Sequence, residues 1–146
     1  MMRNYWYMKS EPYVYHWDDL VKDGSTFWDG VRNYQARNNM KNMKIGDIIL
    51  YYHSNKGVEF VGIAEVIKEA YQDPTTEDDR WVAVDIKPLI PLENPVSLKE
   101  IKNHAALQDM DLVKQSRLSV GSIKRKEFDY ILSLAGMNPK DFHEKF

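Results

Sequence analysis

The chain contains no cysteine. Disulfides, thiolate metal sites, cysteine nucleophiles and the His/Cys zinc site of nucleobase deaminases are thereby excluded. No apolar run is long enough to span a bilayer, so no membrane partner is expected. The opening segment, MMRNYWYMKSEP, turns charged within a few residues. It lacks the apolar core and small-residue cleavage site of a secretion signal, and a cytoplasmic protein is the expectation. Positive charge is not in surplus: 20 Lys and Arg stand against 22 Asp and Glu, a net charge of -2. This argues against binding nucleic acid through bulk electrostatics; such binding would need a local basic patch and contacts to bases.

Common catalytic signatures are missing as well. There is no Gly-rich phosphate loop, no G-x-S-x-G elbow and no H-E-x-x-H helix. His53 and Ser54, with Glu11 or Asp29 to orient the ring, would make part of a hydrolase site, but neighbours on a strand point to opposite faces. The acidic segment from Tyr71 to Arg80 lacks the ligand spacing of a calcium loop. It reads as a solvated loop facing away from any nucleic acid. Neither a metal nor a cofactor is expected, and an enzyme is disfavoured.

What remains is an ordinary globular composition, 43% hydrophobic and 29% charged over 146 residues, enough for one domain with a core. The domain is placed at 1–137, followed by a tail at 138–146 in which Phe142 or Phe146 is available to dock; a monomer is favoured. Aromatics are plentiful, with nine Tyr and four Trp, and serve equally as core or as base-stacking platforms.

Along the chain, Tyr5 to Met8 reads as a short aromatic strand that turns at Pro12. Trp17, Leu20 and Val21 have helical spacing, closed by Gly24. Ile48 to His53 and Phe60 to Lys68 read as an antiparallel pair, with Gly62 marking a bulge or a close backbone approach. Trp81 to Pro88 alternates as a third long strand, and Leu89 to Pro95 is broken by prolines. Ser97 caps a helix whose apolar stripe is Leu98, Ile101 and Ala105, with Glu100 in capping-box position. Arg117 to Ile123 reads as a last short strand or turn. Lys124-Arg125-Lys126 opens the final helix, which Gly136 ends. The pattern predicts a compact α+β domain: a small, mostly antiparallel barrel with helices over its ends.

The segment from Trp28 to Arg37, WDGVRNYQAR, is the densest in chemistry. Asp29-Gly30 signals a turn, Val31 and Tyr34 have helical spacing, and a helix is expected from about Asn33. Arg32 and Asn33 then lie at a helix mouth that favours anions. Two readings stand: Trp28 as core anchor, Asn33 as cap and the arginines as a solvated face; or a corner that receives a base and its phosphate. Other polar groups fall at element ends: Lys9-Ser10-Glu11, Tyr52-His53-Ser54 and Arg117-Leu118-Ser119. Brought together by a small barrel, they would line a pocket suited to a flipped nucleobase.

These blocks, from YWYMKSEP through WDGVRNYQARNNMKNMKIGD, YHSN, Gly62-Ile63-Ala64 and Val84-Asp85 to RLSV, run in the order of the EVE domain family of the PUA-like superfamily, which the chain resembles. The resemblance implies a bent, mostly antiparallel PUA-like barrel of about five strands with surrounding short helices. It implies a non-catalytic module that binds DNA or RNA carrying a modified base, above all a modified cytosine in DNA. Carried onto this sequence, Trp28 stacks on the base, and Lys9, Ser10, Asn33 and Ser54 line the pocket. Gly30, Val31 and Ser119 are counted with them among the base-binding residues. Arg32, Arg37, His53 and Arg117 contact phosphate or base, and Glu11 orients a cation or accepts from a base amino group. The segment between KSEP and WDGVRN is shorter than in many members, which implies a more open rim. Three alternatives are carried forward: an RNA-binding module, an enzyme using His53 and Glu11 as acid and base, and a small-molecule pocket.

Overall fold

The computed structural model describes residues 3–146. Its centre is β3 (Ile48–His53), paired in parallel with β1 (Tyr5–Ser10) on one side and antiparallel with β4 (Glu59–Gln72) on the other. Every residue of β3 is buried. A strand can be apolar on both faces only when both are covered, and here they are. Ile48, Leu50 and Tyr52 face one core; Ile49 and Tyr51 face a second. Tyr5 and Tyr7 join the first from β1, and Trp6 and Met8 the second.

The remaining strands are β2 (Thr26–Trp28), β5 (Val82–Ser97) and β6 (Val120–Ile123). The described residues form one six-stranded sheet in the order β2-β5-β4-β3-β1-β6, antiparallel except for β1 with β3. The sheet bends where β4 and β5 shift register. Val82, Val84 and Ile86 face the second core, whereas Leu92 and Val96, also at even positions, face the first. That exchange of faces falls across Pro88 and Pro91, beyond the reach of β2, where β5 is an edge strand. An edge tolerates proline because no ladder partner needs its missing N–H. The prolines therefore do not end the strand, as Leu89 to Pro95 had suggested; they sit where it bends. Strand β2 was not foreseen either. Three residues are too few for a periodic signal, and β5 alone supplies its pairing.

Helices cover both faces. Helices α1 (Trp17–Asp23) and α2 (Tyr34–Asn42) bury Trp17, Leu20, Ala36 and Met40 in the second core. Helices α3 (Leu98–Lys102), α4 (Asp111–Lys114), α5 (Arg125–Leu134) and α6 (Pro139–Lys145) cover the first, with a 3-10 turn at Ala105–Leu107. The segment 138–146 thus folds as a helix, docked through buried Phe142 against Phe128. Two expected stripe residues stay outside: Val21 is half-exposed, and Ala105 lies beyond the end of α3. Asp47 joins the crossing chains. Buried, it accepts from the Trp6 indole at 2.9 Å and from the Asn4 and Lys44 amides.

Gly62 is a close approach, as expected. A Cβ there would lie 2.5 Å from the Trp17 ring, which packs on the strand. Overpacking of this kind costs about 1–3 kcal/mol. Gly62→Ala is expected to lose stability on that scale in urea unfolding. An unchanged midpoint would mean that Trp17 does not rest on this backbone.

Candidate functional site

A cleft of about 670 Å³ opens between the turn after β2 and the ends of β1 and β6. Trp28, at the end of β2, forms part of its wall. The ring is held by two tyrosines. Tyr51 meets it at 90° with centroids 5.6 Å apart, and Tyr15 at 78° and 6.4 Å. The Tyr51 hydroxyl donates to the Tyr15 carbonyl at 2.6 Å, so the three aromatics form one braced unit. Trp28 packs against the second core while still lining the cleft.

After Trp28 the chain turns at Gly30, whose φ of 75° lies in the left-handed region that glycine enters without steric cost. The turn is fixed from outside by Asp73. This carboxylate is fully buried and accepts from the Gly30 amide at 2.8 Å and the Arg32 guanidinium at 2.9 Å. It also accepts the amide and hydroxyl of Thr75, at 2.7 and 2.6 Å. Burial alone would raise its pKa, but the bonds from Thr75, Arg32 and Gly30 outweigh it and hold the carboxyl at about 2. Arg32 is further set by Val31 O and lies 5.5 Å above the Trp81 ring. Val31 itself is buried in the second core. Asn33 caps α2, its Oδ1 accepting from Ala36 N at 2.9 Å. That bond fixes the amide orientation, and Asn33, which lines the cleft, retains its Nδ2 as a donor.

On the opposite wall stand Ser10 and Ser119, joined through the backbone by Lys9 N–H to Ser119 O at 2.9 Å. Lys9 also borders the cleft. Its ammonium, however, donates to Ser116 O at 3.0 Å and lies over the Tyr7 and Tyr52 rings; burial lowers its pKa.

Eight of the expected residues therefore meet around one cleft: Lys9, Ser10, Trp28, Gly30, Val31, Arg32, Asn33 and Ser119. Five stand outside its wall. His53 borders a second, smaller depression, where its ring lies 4.4 Å from that of His16 and its Nε2 accepts from Trp17 N at 3.0 Å. Burial and the neighbouring His16 lower its pKa. Glu11 accepts from the Asn55 side chain, and Ser54 N donates to Ser10 O. Arg37 lies over the Tyr34 ring and donates to Asn38 and to Arg80 O. Arg117 is exposed, two residues before Ser119.

The acidic loop does not face away from the site, because Asp73 organises the WDGVRN turn. The signal for it was Asp73-Pro74-Thr75: an Asp that bonds the amide two residues on is a turn former, although that pattern does not reveal the long-range partners. The structure adds Val14, Tyr15, Thr26, Phe27 and Asp29 to the cleft.

Comparison with known proteins places these residues in a wider group. The EVE domain family matches residues 4–134. Thymocyte nuclear protein 1 of mouse is 34% identical, with 94% of this chain and 76% of that protein covered. Among solved structures, a protein of Agrobacterium tumefaciens is 44% identical with a TM-score of 0.90, covering 92% of this chain and 94% of that one. The human THYN1 protein in complex with 5-methylcytosine containing DNA is 33% identical with a TM-score of 0.84, covering 90% and 97%. The expected cytoplasmic location is corrected by these findings, since the vertebrate relatives are named as nuclear proteins.

The Asp73 geometry sets a pH dependence. Its carboxyl falls from an ordinary 3.8 to about 2 on folding, worth about 2 kcal/mol. A depressed carboxyl stabilises above its unfolded pKa, and that contribution is lost as pH falls from about 4 to about 2. Asp73→Asn is expected to be less stable than the parent at pH 6, with the gap closing towards pH 2. Urea unfolding across that range measures it; a gap that does not change with pH would remove Asp73 from this role.

Proposed function

The chain belongs to the EVE domain family, and on that premise we propose that it is a non-catalytic reader of modified cytosine in DNA, which receives the flipped base in the cleft beside Trp28. The observation that carries this reading is the braced Trp28 ring, set at the wall of an open cleft of about 670 Å³. A cleft of that size accommodates a nucleotide. The relation to human THYN1, solved with 5-methylcytosine containing DNA, supports the ligand class.

The groups around the ring suit a pyrimidine. Asn33 Nδ2 is a donor for the O2 or N3 of cytosine, both acceptors. Ser10 and Ser119 hydroxyls, which donate or accept, suit the exocyclic amino group. Val31 offers apolar surface for a 5-methyl group. Arg32 keeps its guanidinium half-exposed at the cleft while Asp73 fixes its direction. Withdrawing a base from a duplex costs a few kcal/mol, and stacking on an aromatic returns about 1–3 kcal/mol. Binding therefore needs the polar contacts as well, which is where a modified base is told from a plain one.

The placement of His53 and Glu11 supports reading without turnover. The pair considered as acid and base lies outside the cleft, with His53 Nε2 committed to Trp17 N–H and the Glu11 carboxylate to Asn55.

Trp28→Ala is expected to keep the fold and to lose tenfold or more in affinity for a 5-methylcytosine strand, measured by fluorescence anisotropy against unmodified DNA and the matching RNA. Equal affinity in folded Trp28→Ala would rule out a base pocket at this ring. A preference for the RNA strand would move the reading to an RNA module.

A further inference from the structure

Tyr13 and Val14 are the two most exposed large hydrophobic side chains among the described residues, at 72% and 67% exposure. They are neighbours on one turn: Val14 lines the cleft and Tyr13 borders the smaller depression beside His53. Two such side chains side by side on a turn that touches both depressions mark an interaction surface more than a chance exposure.

The turn that carries them is firmly held. Glu11 O accepts from both Val14 N and Tyr15 N, at 2.9 and 3.0 Å. The Glu11 carboxylate takes the Asn55 amide. At the far end, Tyr15 is pinned by Tyr51 through its carbonyl and by its own hydroxyl to Asp23 at 2.7 Å. Tyr15 also braces Trp28. The apolar tip and the stacking ring are therefore parts of one connected unit, a few residues apart.

We propose that Tyr13 and Val14 form a wedge that enters duplex DNA where the read base leaves the stack. This rests on the reader function above. Val14, at the cleft, fills the place vacated by the base, and Tyr13 stacks against the flanking pair. An extruded base leaves apolar faces of its neighbours open to water, and an inserted side chain covers them. The wedge has work to do only in a duplex, because a single strand presents its base already unpaired. Glu11 and Asn55, outside the cleft wall, acquire a role here as positioning residues that hold the turn.

The test compares wild type with Tyr13→Ser, a position outside the cleft wall, on a 5-methylcytosine duplex and on the same modified strand alone. Tyr13 is exposed, so the variant is expected to match wild type in thermal unfolding. Duplex affinity should fall about tenfold with single-strand affinity unchanged, and Tyr13→Phe should restore the duplex. A variant that binds the duplex as wild type does, or loses both ligands equally, would overturn the wedge. If wild type itself prefers neither modified ligand over plain DNA, the reader function fails first and the wedge with it.

Discussion

The site depends on one buried carboxylate. Asp73 has no exposed surface and is surrounded by donors from Gly30, Arg32 and Thr75. A buried charge is stable only when such bonds replace its hydration. Their satisfaction fixes the backbone at Gly30 and the guanidinium at Arg32 together. Trp28 lies just before that turn and Asn33 just after it. One side chain on a distant loop thus sets the spacing between the aromatic wall and the helix cap. A rigid arrangement would serve the proposed function, because a reader has to distinguish ligands that differ by a methyl group and loose side chains would accommodate either.

The scaffold beneath supplies the same rigidity by a different route. Because β3 is buried on both faces, its alternate residues can serve two cores at once. Tyr51 belongs to the second core and braces Trp28, while Tyr52 belongs to the first and lies under the Lys9 ammonium. Trp17 presses on the bare backbone at Gly62 and meets Tyr51 at 62°. A line of packed aromatics therefore runs from α1 through β3 to the cleft.

Much of this was legible from residues. The strand Ile48–His53, the cap at Asn33, the turn at Gly30 and the crowding at Gly62 each carry a local signal, and each is where it was expected. The misreadings share a cause, which is that their determinants are distant in sequence. The prolines of β5 are tolerated because β2 stops short of them. In segment 138–146 the docking of Phe142 was foreseen but the helix was not, and it forms where Phe128 offers Phe142 a place to pack. The loop at Asp73 is acidic in composition, and composition says solvated; only the partners at Gly30 and Arg32, more than forty residues earlier, make it interior. The site residues divide in the same way. Those within the WDGVRN block are neighbours in sequence and meet at one turn, which Asp73 then fixes, whereas Glu11, His53 and Ser54 were grouped by proximity to element ends and turned to other duties.

The proposed function has to be reconciled with a net charge of -2. The cations nearest the cleft are already engaged: Arg32 with Asp73, and Lys9 with Ser116 O. They shape the site more than they attract phosphate, so long-range attraction contributes little to affinity. Plain DNA then gains little on contact, since it offers the same phosphates as modified DNA. On the proposed function, any base could stack on Trp28, and discrimination would rest on the short-range hydrogen bonds from Asn33 and the serines that only the right base completes. A strongly basic surface would add affinity for every sequence alike and dilute that difference. The near-neutral charge of the domain is therefore suited to selectivity, with weak attraction to bulk nucleic acid as its counterpart.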